Sequence, residues 1–267
     1  MTSRTVAAIA LLLSGVDFSS RTLGRVKYSD RLLVFSRTDG FRHESIPAGV
    51  AAVRRLAGGL GLDVIATEDP ADLSARGLDG CAAVVFLNSI GDVLTDDARA
   101  ALTAYLRTGG AFVGVHAAAA TEPSWPYFRD LVGARFVRHP DIAPAIVRVL
   151  DPDHPATTHL GPAWQRVDEW YDFDAPPGPG ARVLLTVDES TYPGGGMGPD
   201  HPIAWCHEHD GARCFYTAGG HTVEAYSEPS FLRHLRGGLA YATGLDATRR
   251  DGLDLRPGPG SGTVDPW

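Results

Sequence analysis

The chain reads as an α/β protein: a mostly parallel open sheet with helices on both faces, and additional β-strands in the second half. Three observations predict this. Short apolar runs alternate with helical stretches through the first half, the pattern of a parallel sheet wrapped by helices. The run Gly110-Ala111-Phe112-Val113-Gly114-Val115 ends in His116 and small residues follow at once. In an open α/β sheet such a residue sits at the carboxyl edge, where ligands bind. From Ala145 onward, short strands with short connections replace the alternation.

The elements follow in order. Arg31–Ser36 is a short apolar run between polar residues, a buried strand. The loop Arg37–Glu44 comes next, and Gly40 lets it bend tightly. Ser45 is placed to cap a helix reaching about Leu60, with Pro47 tolerated in its first turn. Leu62–Ala66 and Ala83–Leu87 are the next strands. Thr95 caps a helix to Arg107, and Asp96 and Asp97 suit its N-terminus. The strand ending at His116 follows.

In the second half, Ala145–Leu150, Gln165–Phe173, Arg182–Val187, Ile203–His207 and Ala212–Thr217 read as strands. Pro176–Gly180 and Tyr192–Pro199 are loops by composition. Asp210-Gly211 reads as a two-residue hairpin turn, which pairs His207 with Cys214 and turns Cys206 to the other face. A helix from about Pro229 to Ala242 closes the domain. Residues 1–30 read as an N-terminal appendage, residues 31–244 as one domain, and residues 245–267 as a tail.

The net charge of −8 comes with no basic stripe interleaved with aromatics, which argues against a nucleic-acid partner. The apolar stretch Val6–Leu13 is too short to span a bilayer, so no membrane partner is expected. That stretch is weakly signal-peptide-like, but no A-x-A-like cleavage site follows it. Cytoplasmic localisation is the expectation, with secretion left open by those residues. Three cysteines and no CxxC fit a reducing compartment. No glycine-rich fingerprint follows a strand, so no nucleotide cofactor is expected.

Several segments together resemble the ThuA-like family, named for trehalose utilisation. They are Phe35–His43, Gly114–Ala118, Val132–Phe136 ahead of His139-Pro140, and His154-Pro155. Asp168-Glu169-Trp170-Tyr171, His201–Trp205, Phe215–His221 and Pro229–Leu235 continue the series. The resemblance spans roughly residues 31–244. It implies a flavodoxin-like fold similar to class I glutamine amidotransferases, and a link to disaccharide catabolism that includes oxidised (3-keto) sugars. At the turn where amidotransferases carry a nucleophilic cysteine, this chain has His116, so cysteine amidotransfer is not expected.

His116 is the leading candidate, as general base, general acid or ligand. Glu169 is its expected acid–base partner. Treated as a strand, residues 168–172 put Glu169 and Tyr171 on one face and Asp168, Trp170 and Asp172 on the other. His43, Arg42, Tyr171 and His221 are candidate substrate contacts. Two glycines before His221 suit a close backbone approach to a ligand. His43, His116 and His221 are also candidate ligands for a divalent metal ion. His139-Pro140, His154-Pro155 and His201-Pro202 read as loop punctuation.

The expected function is acid–base or metal-assisted chemistry on a sugar derivative, by a lyase, isomerase or hydrolase with a small sugar ligand. The alternative is a non-catalytic sugar-binding module. A homo-oligomer is compatible with either.

Overall fold

A computed structural model describes residues 31–247. The N-terminal appendage and the tail beyond Ala247 lie outside the described residues. Within them, Leu245 and Ala247 pack against the core.

The chain begins β1 (Arg31–Phe35), α1 (Ile46–Gly58), β2 (Asp63–Thr67), α2 (Ala75–Leu78), β3 (Ala83–Leu87), α3 (Asp96–Arg107) and β4 (Ala111–Val115). It continues through α4 (Pro126–Val132), β5 (Phe136–Arg138), β6 (Ala143–Val149), β7 (Ala163–Asp168) and β8 (Asp172–Phe173). It ends with β9 (Arg182–Val187), β10 (Pro202–His209), β11 (Ala212–Thr217) and α5 (Pro229–Thr243). Nine strands form one sheet in the order β2-β1-β3-β4-β11-β10-β9-β6-β7. From β2 to β11 every neighbouring pair is parallel. The later strands extend that sheet antiparallel. This is the expected fold class, with the added strands continuing one sheet.

The parallel strands are buried on both faces. All five residues of β3 and of β4 are buried, which is why they read as continuous apolar runs. Phe35, Phe86, Phe112 and Phe128 pack against one another in the core. Thr95 caps α3 by accepting from the Ala98 N–H at 3.2 Å. The β10–β11 hairpin pairs His207 with Cys214 as the Asp210-Gly211 turn dictates, and all three cysteines are free.

Two expectations fail in informative ways. Ser45 does not cap α1 with its side chain. Its hydroxyl instead contacts the Gly220 carbonyl at 3.4 Å and accepts from Asn88 Nδ2 at 3.0 Å. The predicted strand Gln165–Phe173 is broken, because β7 stops at Asp168 and β8 starts at Asp172. Face alternation therefore lapses over residues 169–171.

Candidate active site

Parallel strands share a carboxyl edge, so the loops after β1, β4 and β11 open together. His43 lies on the first of these loops, His116 directly follows β4, and His221 follows β11. Their rings meet: centroids are 4.9 Å apart for His43–His116 and His43–His221, and 5.1 Å for His116–His221. His43 and His116 are buried and His221 is partly exposed.

The backbone is bent to achieve this. His116 has φ +48°, the left-handed region that a non-glycine residue adopts only when its surroundings hold it there, at about 1–3 kcal/mol. Asn88, at the matching end of neighbouring β3, has φ +51°. Its amide donates to Ser45 Oγ at 3.0 Å and to the Gly220 carbonyl at 3.2 Å, tying the loops after β1, β3 and β11. Tyr216 Oη donates to the His116 carbonyl at 2.8 Å.

The His116 tautomer follows from its partners. Nδ1 lies 2.7 Å from the Ala218 carbonyl, which can only accept, so Nδ1 carries a proton and donates it. In the neutral ring Nε2 then presents a lone pair. That nitrogen is 3.2 Å from His221 Nδ1 and 3.4 Å from Glu169 Oε2. His221 Nδ1 is 3.1 Å from the same oxygen. The three atoms thus form a nearly equilateral triangle. The other Glu169 oxygen meets His139 Nδ1 at 3.1 Å.

Electrostatics divide the group. Burial lowers the His43 pKa to about 3, helped by the charges of His116 and His221, so this ring is neutral near pH 7. Its Nδ1 is buried with no hydrogen-bond partner. Burial alone raises the Glu169 pKa. Hydrogen bonds and charge from His116 and His221 outweigh it and hold the carboxyl well below its ordinary value. Burial lowers His221, but the Glu169 hydrogen bond and charge, then Asp168, bring its pKa above the ordinary histidine value. Burial and the Glu169 charge push the Tyr171 phenol well upward, so it keeps its proton. The Tyr171 ring lies against His116, with centroids 4.2 Å apart.

Asp168 organises this centre from behind. It is fully buried and forms an ion pair with Arg166 at 2.8 Å. It also accepts from the backbone N–H groups of Gly220 at 2.9 Å, His221 at 3.1 Å and Glu169 at 3.0 Å. One carboxylate therefore positions both Glu169 and His221. The glycines before His221 approach protein atoms and not an open ligand space. A Cβ on Gly219 would lie 2.4 Å from an Arg166 nitrogen, and one on Gly220 would lie 2.7 Å from Tyr226 Oη.

The remaining candidates separate. Arg42 is on the surface, where its guanidinium pairs with Glu68 at 2.6 and 3.1 Å. It rims the site without joining the cluster. Two of the supposed loop markers do more than punctuate. His139 touches Glu169, and buried His201 spans the Tyr171 carbonyl and Glu189, each at 2.8 Å. Glu189 accepts from the N–H groups of Met197 and Gly198, so this network fastens the glycine-rich loop beside Tyr171. The third, His154, is also buried, and its Nδ1 accepts from the Ala156 N–H within its own turn.

One donor atom each from His43, His116, Glu169 and His221 lies within 4.8 Å of the others. Three nitrogens and a carboxylate oxygen suit zinc and similar divalent ions. A cavity of about 350 Å³, lined in part by Phe41, His43, Ile142 and His221, opens onto the group.

Comparison with known proteins supports the fold. The ThuA family model, described as trehalose utilisation, matches residues 31–242. No curated protein sequence matches the chain. A ThuA-like protein of Bacteroides uniformis is similar in structure, with a TM-score of 0.68 at 24% identity over 81% of this chain and 92% of that one. A ThuA-like protein of Parabacteroides merdae aligns with a TM-score of 0.63 at 22% identity, over 80% of this chain and 90% of that one. The cytoplasmic protein STM3548 of Salmonella typhimurium aligns at 0.57 and 12% identity, over 79% and 98%. Among the described residues no helix is long and apolar enough to cross a membrane. The match over residues 31–242, on a fold shared with two ThuA-like structures, shows that this chain belongs to the ThuA family.

Proposed function

We propose that this protein is an enzyme acting on the carbonyl of a sugar derivative, with a divalent metal ion held by the histidine–glutamate centre. The triangle of donor atoms carries the reading. A tetrahedral ion with bonds near 2.0–2.1 Å needs ligand atoms about 3.4 Å apart. His116 Nε2, His221 Nδ1 and Glu169 Oε2 are separated by 3.1, 3.2 and 3.4 Å. His43 brings a fourth ring nitrogen within reach, and its buried Nδ1 has no hydrogen-bond partner. The His116 Nδ1–H bond to the Ala218 carbonyl is the kind of contact that fixes the ring of a ligating histidine.

A bound divalent ion supplies a Lewis acid that polarises a carbonyl oxygen or lowers the pKa of a water. His116, His221 and Glu169 Oε2 would hold it. Glu169 Oε1, which faces His139 Nδ1, would keep a second lone pair to accept a proton, in keeping with an acid–base role. Tyr171 stays protonated and offers a hydrogen bond to a hydroxyl or developing oxyanion. These groups suit removal of a proton next to a keto group, followed by elimination or isomerisation, and equally hydrolysis. A small sugar derivative such as a keto-glycoside fits the family and the cavity.

The test is elemental analysis of the purified protein. Metal-stripped and zinc- or manganese-reloaded samples then meet a panel of 3-keto sugars and glycosides, read by mass spectrometry. Metal-dependent conversion that falls at least 1,000-fold in His116→Gln, with affinity retained, is expected (~4 kcal/mol of barrier). Sugar binding without conversion in any metal state would make the protein a binding module. Equal conversion by stripped and loaded protein would remove the ion from the proposal.

A further inference from the structure

The cavity beside the centre carries information about the substrate's other half. Seven large apolar side chains are exposed among the described residues, and Phe41, Ile142 and Val223 are three of them, at 63%, 46% and 44%. All three line this cavity, although they come from loops far apart in the chain. Isolated exposed apolar side chains need no explanation, but several converging on one cavity mark a binding surface. Phe41 also meets His43 edge-on, with centroids 4.9 Å apart, so the apolar wall is continuous with the reacting centre.

Three of the polar groups that line the same cavity are already engaged. Arg42 is paired with Glu68. Ser45 Oγ is held by Asn88 and the Gly220 carbonyl. Thr222 Oγ1 accepts from the Ala225 N–H. A second sugar ring would find hydroxyl acceptors chiefly in Glu44 and Glu224 and would set its remaining hydroxyls against the apolar wall, which is costly. Glu44 and Glu224 also line the cavity, and with Arg42 neutralised they disfavour a phosphate or carboxylate substituent.

We infer that the preferred substrate is a neutral glycoside derivative whose leaving group is apolar and flat, an aryl glycoside, rather than a disaccharide or a sugar phosphate. This rests on the reading of the histidine–glutamate centre as the place where the sugar ring reacts. The aromatic aglycone occupies the Phe41–Ile142–Val223 wall, and the glycosidic oxygen faces His43 and His221.

Titration calorimetry on the full chain tests it with three probes: 4-nitrophenyl 3-keto-glucoside, 3-keto-trehalose and methyl 3-keto-glucoside 6-phosphate. The nitrophenyl compound should bind at least 10-fold tighter than either of the others. Phe41→Ala should weaken binding of the nitrophenyl compound at least 10-fold and so remove that preference. Phe41 is exposed, and an unchanged melting temperature will verify that the variant folds. Glu44→Gln with Glu224→Gln should recover at least 5-fold in affinity for the phosphate. Equal affinity for the nitrophenyl and trehalose probes, or a preference that survives Phe41→Ala, overturns the inference. Turnover without aryl preference would defeat only this inference. Phe41-dependent aryl binding with no conversion of any keto sugar would defeat only the enzymatic reading.

Discussion

Asp168→Asn should destabilise the protein by about 3–5 kcal/mol, because the carboxylate accepts three hydrogen bonds and pairs with Arg166, and an amide cannot do both. In the folded chain Oδ1 accepts from the Glu169 and His221 N–H groups. Oδ2 accepts from the Gly220 N–H and pairs with Arg166. Whichever oxygen becomes NH₂, two donors are left facing a donor. Hydrogen bonds to a charged group contribute about 1.5–3 kcal/mol each, and breaking a buried ion pair from one side costs about 3–5 kcal/mol. Arg166 keeps its contact with Glu228 at 3.3 Å, which favours the lower part of that range. Urea denaturation of both chains at pH 7 measures the loss directly. A melting temperature lower by roughly 10 °C should accompany it for a domain of this size. A loss below about 1 kcal/mol would refute the argument that one carboxylate organises the loop before His221.

Three further outcomes are expected. His234 is fully buried and neutral, with Nδ1 near the Ala156 carbonyl and Nε2 near Thr217 Oγ1, and burial lowers its pKa to about 3. The unfolded chain therefore binds this proton first as pH falls. Stability from this group is complete above about pH 6.5 and declines towards pH 3, at up to about 1.4 kcal/mol per pH unit. His234→Gln should flatten the pH dependence of the urea midpoint by that amount. Tyr216→Phe removes the hydrogen bond to the His116 carbonyl and should cost about 1–2 kcal/mol by chemical denaturation. Gly220→Ala combines φ +111° with a Cβ 2.7 Å from Tyr226 Oη. It should lose about 1–3 kcal/mol in the same assay, whereas a neutral effect would mean that the loop adjusts freely.

The parallel half of the fold was legible because its strands are apolar throughout and its helices carry clear ends. The meeting of His43, His116 and His221 was legible for the same reason, since successive parallel strands must deliver their following loops to one edge. Asp168 was not legible. Alternation sets it on the face opposite Glu169, but the strand ends at Asp168, and its partners Gly220 and His221 lie more than 50 residues away. A serine before a helical run is the ordinary sign of a cap, but the Ser45 hydroxyl faces Asn88 and Gly220 instead, contacts set by tertiary packing. The roles of His139 and His201 were hidden because a His-Pro pair signals only extended backbone, and their contacts with Glu169 and Glu189 depend on tertiary packing.

The left-handed turn at His116 has a practical consequence. Glycine adopts φ +48° without penalty, so His116→Gly should relax the bend while deleting only the ring. Exogenous imidazole diffusing into the resulting void could then restore what the missing side chain supplied. Scaffold and reagent are separable at this position, and small-molecule complementation offers a direct way to ask what the imidazole contributes.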